Sequence, residues 1–457
     1  MTSLLLRGGR VLTLDRAGHD FNPGFIAIEA GRISAAGPGE PPPELAAGAD
    51  RTWDATGCLV MPGLVNAHTH LGQVFTRNLG QDRPLLDWLD EVIWPAQQLM
   101  TPAEAGLAAR VGLLENLRGG VTTVIDHQKL TATPAHSDAV AEAAQALGAR
   151  LVLARAWAET GRGGEDLPAA LAELDRLRRT WHGAAGGRIR VAFGPLAPWR
   201  CSIESLRAGV AAARRWGLAT HIHVAETQAE VDLTLAQSGL RHVEVLDRAG
   251  ALGPDVQLVH GIWLSEAEMD QVAASGALVV HCPVSNAYLG SGVAPIAALR
   301  RRGVPIALGT DGPASNNSQD LFETMKLAAL LAKATAHDPA ALTAREVLRM
   351  ATRGGAQAAR WPEAAQSAGQ TPALAPGGSI EPGCPADLAL IDLNSPRLTP
   401  LNAAEAALVY AAAAADVTGV IVAGQVVMRD RKLCGVDEAG LLAECRAAAE
   451  QLARRLA

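Results

Sequence analysis

The sequence predicts an α/β fold: a (β/α)8 barrel of the TIM type, with a small β-sandwich domain built from both chain termini. Three observations predict it. Apolar, β-prone runs alternate with Ala/Leu/Arg-rich helical segments between residues 61 and 374. Eight such runs occur over roughly 250 residues, the size of a closed barrel. Short strands with Gly and Pro turns flank this region on both sides.

Residues 1–60 are predicted to form the first part of the small domain. The runs LLLRGGRVLTL, FIAIEAGRISAAG and TWDATGCLVMPG are short and separated by turn residues. The runs SIEPGCPADLALIDL and DVTGVIVAGQVVMRD have the same texture near the C-terminus. We therefore assign residues 375–457 to this domain, with a final helix at about 437–456. The low-complexity stretch 363–378 is predicted to be a flexible loop.

The barrel is assigned from eight strand candidates, each followed by a helical stretch. They are residues 59–68, 121–127, 151–157, 189–197, 218–226, 256–261, 278–282 and 304–311. A doubly wound open sheet is the alternative. It is less favoured because no GxGxxG motif follows a first strand.

Composition narrows the functional class. The formal charge is −7, which argues against nucleic-acid binding. Six cysteines are scattered without a CxxC pair, as expected of reduced thiols. No signal peptide or membrane-spanning run is recognisable. The sequence predicts a cytoplasmic protein that acts on neither nucleic acid nor membranes.

Polar residues collect where the predicted strands end. A single histidine there is more often a hydrogen-bonded core residue than a ligand, but the joint pattern makes that reading improbable, since catalytic groups gather at barrel strand ends. The residues are His68, His70, Asp126, His127, His221, His223, Glu226, His260, His281 and Asp311.

Three imidazoles and one carboxylate form a ligand set for a divalent ion such as Zn²⁺ or Fe²⁺. His68 and His70 are spaced to point the same way from one strand. On the fifth strand, His223 is nearer the C-terminal end than His221 and is the better ligand. His221 is predicted to lie one layer deeper, in a structural role.

Five motifs resemble the amidohydrolase superfamily, specifically its mononuclear-metal aminohydrolase branch. Within that branch, VSNAYLGSGVAP and WLDEVIWPAQQLM look closest to the s-triazine hydrolases, atrazine chlorohydrolase and melamine deaminase. The segment SNNSQDLFETMKLAALL is similar to S-adenosylhomocysteine and related purine-nucleoside deaminases. The five motifs are PGLVNAHTH, HIHVAET, LVHG, HCPVSNAYLGSG and GTDGPASNNSQDLFETMK.

The resemblance implies one divalent metal ion, zinc before iron, held by His68, His70, His223 and Asp311. Binuclear members use a lysine on the fourth strand, and RIRVAFGPLAP contains none. Glu226, His260 and Asp311 are the implied catalytic residues. Glu226 would carry protons to the ring, His260 would orient or polarise the attacked group, and Asp311 would take a proton from the attacking water.

The substrate pocket is predicted partly from this resemblance. A tryptophan and two leucines suit a flat heterocycle, although helix packing also explains Trp88. His127 faces either the ligand or the loop that it would hold. His281 is expected behind the metal ligands. The predicted substrate-binding residues are Gln73, Leu85, Trp88, Leu89, Gln97, His127, Asn286 and Ser315.

The expected reaction is hydrolytic deamination of an aminated N-heterocycle, with a metal-activated water attacking the amidine carbon and ammonia leaving. Leu85 and Asp126 match melamine deaminase. Gln97 stands where nucleoside deaminases have a glutamate for the ribose, so a bare s-triazine, purine base or pterin is favoured over an adenosine. The alternatives are a triazine hydrolase that displaces chloride or an alkylamine, and a non-catalytic barrel. The resemblance also implies a homodimer or higher homo-oligomer.

Overall fold

A computed structural model describes residues 3–128, 133–360 and 377–456. Most of the low-complexity stretch 363–378 lies outside these residues. The strands are β1 (Leu4–Leu12), β2 (Asp20–Glu29), β3 (Arg32–Pro38), β4 (Arg51–Asp54), β5 (Cys58–Pro62), β6 (Leu64–Thr69), β7 (Val121–Gln128), β8 (Arg150–Trp157), β9 (Ile189–Pro195), β10 (Thr220–Val224), β11 (Val256–His260), β12 (Leu278–His281), β13 (Ile306–Leu308), β14 (Leu388–Asp392), β15 (Val417–Val422), β16 (Gln425–Arg429) and β17 (Lys432–Leu433).

Helices follow most barrel strands, with short 3-10 and π turns among them. The α-helices are α1 (Pro43–Gly48), α2 (Leu85–Trp88), α3 (Trp94–Leu99), α4 (Pro102–Arg118), α5 (Pro134–Leu147), α6 (Leu167–Trp181), α7 (Ala184–Gly187), α8 (Ile203–Arg215), α9 (Gln228–Ser238), α10 (His242–Arg248), α11 (Glu266–Ser275), α12 (Pro283–Tyr288), α13 (Ile296–Arg301), α14 (Pro313–Asn316), α15 (Leu321–Ala336), α16 (Ala344–Arg349), α17 (Gly355–Ala359), α18 (Ala404–Tyr410) and α19 (Glu438–Leu456). The 3-10 helices are Leu71–Thr76, Pro198–Arg200, Pro396–Leu398 and Ala414–Asp416, and the π turns are Leu89–Ile93 and Met350–Gly354.

The barrel is built from eight parallel strands in the order β6 to β13. Hydrogen bonds join its first and last strands just beyond β13. The Asp311 N–H donates to the His68 carbonyl at 2.9 Å, and the Thr310 N–H donates to Asn66 Oδ1 at 3.0 Å. The predicted fold class is confirmed.

The terminal segments form one mixed sheet in the order β17-β16-β15-β14-β5-β1-β2-β3, with β4 paired to β1. Strand β5 comes from the N-terminal part and pairs antiparallel with β14 from the C-terminal part. Both parts therefore contribute to one sheet, as predicted. The predicted domain boundaries, 1–60 with 375–457 and 61–374, stay a prediction.

The prediction of one strand over residues 59–68 is wrong, because this run forms two strands, β5 and β6. The chain leaves the mixed sheet after Pro62, passes Gly63 and enters the barrel at Leu64. A Cβ on Gly63 would lie 2.3 Å from Thr122 Cγ2, so only glycine fits at this crossing. One apolar run thus supplies strands to two different sheets.

The largest apolar cluster joins the barrel, its helices and the mixed sheet. It contains Leu151 and Val191 of the barrel, Leu174 and Leu206 of the helices, and Val420 of β15. All five side chains are buried. The small domain therefore packs on the barrel through a shared core. Within the described residues, no helix combines the length and apolar character needed to cross a membrane.

Candidate active site

The catalytic candidates lie at the C-terminal ends of the barrel strands, several of them just past the last paired residue. The predicted fifth and eighth strands end earlier than expected, at Val224 and Leu308. Glu226 and Asp311 are consequently loop residues. Ala225, His260 and Asp311 have φ of 48°, 71° and 61°. Left-handed backbone at non-glycine residues costs energy and is concentrated at functional sites.

Two predicted ligands are held in one tautomer by backbone carbonyls. The Nδ1–H of His70 donates to the His127 carbonyl at 2.7 Å, and that of His223 donates to the Leu196 carbonyl at 2.8 Å. A carbonyl only accepts, so the proton is on Nδ1 in both rings. The Nε2 lone pair of each ring is left available to a metal ion.

His68 is held in the same tautomer by side chains. Its Nδ1 lies 2.8 Å from His221 Nε2, and His221 Nδ1 lies 3.2 Å from the Gln257 amide oxygen. The amide oxygen accepts from His221, so His221 Nε2 accepts from His68. His221 therefore supports His68 from behind, the position that the sequence predicted for it.

Asp311 completes the group from the segment after β13, which is hydrogen-bonded to β6. Its Oδ1 lies 3.3 Å from His68 Nε2 and 3.4 Å from His70 Nε2. The Ser285 hydroxyl donates to Oδ2 at 2.6 Å, and the Gly312 N–H donates to Oδ1 at 2.7 Å. Although burial raises the pKa of Asp311, the neighbouring His68 and His70 lower it well below its usual value.

These residues fit a divalent cation. Ring nitrogens of His68, His70 and His223 lie within 4.8 Å of one another, as do ligand atoms of His68, His260 and Asp311. The Nε2 atoms of His68 and His260 are buried without a hydrogen-bond partner among the described residues. Burial lowers the pKa of His68 to about 4, so its ring is neutral at pH 7. Neutral imidazoles aimed at an ionised carboxylate are a metal-ligand set.

Glu226 and His260 face each other beside this group. Glu226 Oε2 lies 3.3 Å from His260 Nε2, and the His260 Nδ1–H donates to Asn286 Oδ1 at 2.9 Å. Burial, with repulsion from Glu230 and Asp311, raises the pKa of Glu226 well above its usual value. A raised pKa at Glu226 beside a lowered pKa at Asp311 suits the first to act as an acid and the second as a base.

A cleft of ≈ 600 Å³ opens onto these groups. Its other walls are mainly apolar and aromatic. Buried Gln73 Oε1 and Trp88 Nε1 have no hydrogen-bond partner in the described chain and are free for a ligand. Six predicted substrate-binding residues line the cleft: Gln73, Leu85, Trp88, Leu89, Gln97 and Ser315.

Two predicted substrate-binding residues are placed elsewhere. His127 is fully buried, donates from Nε2 to the Gly194 carbonyl at 3.1 Å, and packs against His70 and His223. Asn286 accepts from His260 and lies behind it. Neither is among the residues that line the cleft within the described chain. The structure therefore gives both residues supporting contacts.

Several residues at the site were not predicted. Ser285 donates to Asp311, and Gln257 accepts from His221. Gln319 donates from Nε2 to the Asp311 carbonyl at 3.1 Å and accepts from Thr69 Oγ1 at 3.0 Å. Trp199 and Glu230 line the cleft and are joined by a 3.0 Å hydrogen bond. Ser285 and Gln319 lie inside motifs, but nothing in the spacing identifies their partners.

A parallel barrel with histidines, an aspartate and a glutamate at its C-terminal strand ends defines a barrel metallohydrolase. Residues 59–427 match the amidohydrolase family. The chain belongs to that family.

Proteins named as deaminases match over the whole chain. A 5'-deoxyadenosine deaminase of Methanosarcina mazei is 38% identical over 460 residues and covers 100% of both chains. A 5-methylthioadenosine/S-adenosylhomocysteine deaminase of Pelotomaculum thermopropionicum is 38% identical over 456 residues, again 100% of both chains. The predicted enzyme class, a hydrolase acting on C–N bonds other than peptide bonds, is confirmed.

Solved structures give the same fold. An adenosine deaminase from Xanthomonas campestris with bound zinc has a TM-score of 0.89 and 32% identity, covering 99% of this chain and 98% of that chain. A mutant atrazine chlorohydrolase from Arthrobacter aurescens, complexed with zinc and atraton, has a TM-score of 0.88 and 27% identity, covering 98% and 100%. The predicted resemblance to both groups is confirmed, and metal-dependent deamination is supported.

Proposed function

We propose that the protein is a zinc-dependent deaminase that hydrolyses the 6-amino group of an adenine nucleoside with no charge at its 5' position. The observation that carries this proposal is the convergence of the His68, His70 and His223 Nε2 atoms with Asp311 and Glu226 on one cleft. The names of the relatives, deaminases of 5'-deoxyadenosine and of 5-methylthioadenosine/S-adenosylhomocysteine, support the nucleoside over the bare ring that the sequence favoured.

His68, His70, His223 and Asp311 would hold the ion, because each presents a lone pair that its own partners leave free. Three imidazoles and one carboxylate favour zinc, with iron second. When bound, such an ion acts as a Lewis acid and lowers the pKa of a coordinated water from that of bulk water to about 7.

The protein's own groups then move the protons. Asp311, ionised at neutral pH, takes a proton from the attacking water. Glu226, whose raised pKa favours the protonated carboxyl, donates to ring N1 next to the attacked carbon, so that no unshielded charge develops there. His260 is fixed by Asn286 with its Nε2 lone pair towards the water and orients it. Asp311 passes its proton to the departing amino group as the C–N bond breaks and ammonia leaves. Ionised Glu226 takes the remaining hydroxyl proton as the ring carbonyl forms, so both carboxyls return to their starting states.

The cleft walls support an uncharged substituent on the nucleoside. No Lys or Arg lines the cleft among the described residues. Trp88, Trp94 and Trp199 give flat surfaces for a purine and an apolar tail. A 5'-phosphate would be desolvated here without a cation to pair it, which is costly.

The bare aminated ring is the second candidate. Gln97 lines the cleft as a neutral amide, so this position supplies no carboxylate to bind a ribose diol. A free s-triazine or purine base would need none.

Ammonia release by zinc-loaded enzyme tests both candidates. The panel is adenosine, 5'-deoxyadenosine, 5'-methylthioadenosine, S-adenosylhomocysteine, adenosine 5'-monophosphate, adenine and melamine, with chloride release from atrazine followed in parallel. We expect the highest kcat/KM for 5'-deoxyadenosine or 5'-methylthioadenosine, and at least about a hundredfold lower value for the monophosphate. Preference for adenine or melamine would establish the second candidate. Chloride release alone would overturn both.

A further inference from the structure

A second cleft lies at the opposite end of the barrel from the catalytic candidates. Its empty volume is ≈ 1110 Å³, and Val304 and Ile306, at the start of β13, form part of its wall. Asp311 follows the other end of the same strand. Four arginines line this cleft against one carboxylate among the described residues: Arg16, Arg300, Arg349, Arg353 and Glu346.

The single carboxylate is already paired. Arg300 Nη1 donates to Glu346 Oε2 at 2.9 Å and to the Ala341 carbonyl at 2.9 Å. Glu346 also accepts from Thr343 in the N-terminal cap of α16. In the described chain, Arg16, Arg349 and Arg353 form no ion pair. The cleft therefore has three uncompensated positive charges in a protein of formal charge −7.

Arg349 and Arg353 point to the backbone of Leu14 and Asp15, but most of their N–H donors have no acceptor there. Arg353 Nη1 reaches the Leu14 carbonyl at 3.3 Å, and Arg349 Nη2 reaches the Asp15 carbonyl at 3.4 Å. Arg16 is the next residue on that turn. Arg349 Nε is buried and has no acceptor among the described residues. By contrast, half-buried Arg302 is held by both Glu266 and Asp270.

We propose that this cleft is a binding site for a phosphate-type oxyanion. The arginines repel one another because they carry like charges, and the buried Arg349 Nε without an acceptor is also costly. A bound oxyanion would reduce the repulsion and accept from the buried donor. Guanidinium groups match phosphate oxygens with paired N–H donors. Bound inorganic phosphate and the phosphate of a nucleotide share this chemistry.

Calorimetric titration of inorganic phosphate into zinc-loaded enzyme at low ionic strength tests the proposal. We expect saturable binding with Kd below about 1 mM and at least a tenfold loss of affinity in Arg349→Gln/Arg353→Gln. Arg16→Gln, on an exposed loop residue, is a milder second variant and is expected to weaken binding severalfold. Arg302→Gln is the matched control and should bind phosphate as the wild type does. A parallel titration with adenosine 5'-monophosphate distinguishes a nucleotide from free phosphate.

Thermal unfolding gives an independent readout. At a phosphate concentration one hundred times Kd, the wild type should gain roughly 3 °C in Tm over chloride at equal ionic strength. Deamination by each variant in phosphate-free buffer should match the wild type, which verifies folding. Equal phosphate affinity in wild type and double variant would place the anion elsewhere, for example at the zinc ion, and would overturn the proposal. Absence of binding would overturn it as well.

Discussion

The catalytic carboxylates differ in protonation because their neighbours differ. Asp311 has histidines around Oδ1 and donors from Ser285 and Gly312. Glu226 is buried, is repelled by two carboxylates and has an Oε1 with no hydrogen-bond partner in the described part of the chain. Separation of the two pKa values allows one residue to accept and the other to donate at the same pH.

Glu226→Gln should retain zinc and lose turnover. The amide keeps the shape of the side chain but has no acidic proton, and general acid–base help is worth roughly 10²–10⁴-fold. We expect kcat to fall by that amount, measured as ammonia release, with zinc content unchanged by elemental analysis. Exposed Glu204→Gln is the control and should behave as wild type. Near-normal turnover of zinc-loaded Glu226→Gln would remove Glu226 from the proton path.

Ser285→Ala should weaken metal binding. The hydroxyl donates to Asp311 Oδ2 at 2.6 Å and orients the carboxylate for its ligand role. Loss of such a support typically costs 10–100-fold in metal affinity. Competition with a chromogenic chelator measures the change. Ser137→Ala is matched, because Ser137 is buried and its hydroxyl has no partner among the described residues. Equal zinc affinity in the two variants would show that Ser285 does not orient Asp311.

For individual residues, the sequence predicts which side chains form the metal site better than it predicts their hydrogen-bond partners. Spacing on strands places His68, His70 and His223 together, because strand parity and strand ends determine where they point. It does not give the contacts of His127 or Asn286. The His127 carbonyl accepts from His70, its ring packs against His70 and His223, and Asn286 accepts from His260. The orientation of these two side chains depends on hydrogen bonds between residues far apart in the chain, and sequence spacing does not reveal such bonds.

Between elements, one buried arginine joins the loops that form the cleft. The guanidinium of Arg200 lies between Trp94, 4.9 Å from its ring centroid, and Trp199, at 5.2 Å. Arg200 also donates from Nε to the Thr160 carbonyl at 2.7 Å and from Nη2 to the Arg162 carbonyl at 2.9 Å. These contacts tie the segments after β6, β8 and β9 into one wall.

Arg200→Leu should loosen that wall. Removing a desolvated cation–π pair costs about 2 kcal/mol, and Trp94 and Trp199 lose their common partner. We expect KM for the best substrate to rise at least about tenfold, with a smaller change in kcat and unchanged zinc content. Steady-state kinetics measures this split. Arg302→Leu, on the surface, is the control. A fall in kcat at constant KM would mean that Arg200 acts on the chemistry instead.

The strand pattern could be predicted, but the strand ends could not. Apolar runs gave β7, β8, β9, β11 and β12 to within about two residues of their observed ends. The break at Gly63 was not visible, because β5 and β6 have the same apolar texture and differ only in which sheet they join. Strand β10 ends directly before Ala225, which has positive φ, and β13 ends three residues before Asp311, which also has positive φ. No residue type marks those turns.

Over the whole molecule, buried neutral histidines make stability depend on pH. His242 accepts the Ala225 N–H on Nδ1 at 2.8 Å and donates from Nε2 to the Glu230 carbonyl at 3.0 Å. It thereby fastens the loop that carries Glu226 to α9 and α10. Burial lowers the pKa of His242 to about 4, and burial lowers the pKa of His281 to about 3.

The metal-free protein should therefore lose stability on mild acidification. The folded pKa of His242 is below its ordinary value of 6.5, so the unfolded chain binds the proton first as the pH falls. The stabilising contribution is complete above pH 6.5 and is lost progressively down to about pH 4; for His242 alone it is about 3 kcal/mol. In His242→Gln, which has no titrating ring, the free energy of unfolding should be lower at pH 7 and change less between pH 6.5 and 4. Urea denaturation of the metal-free proteins, prepared with a chelator, measures how the free energy of unfolding of the wild type and of the variant changes with pH over this range. Parallel pH profiles for wild type and variant would show that His242 takes up its proton equally in the folded and unfolded states.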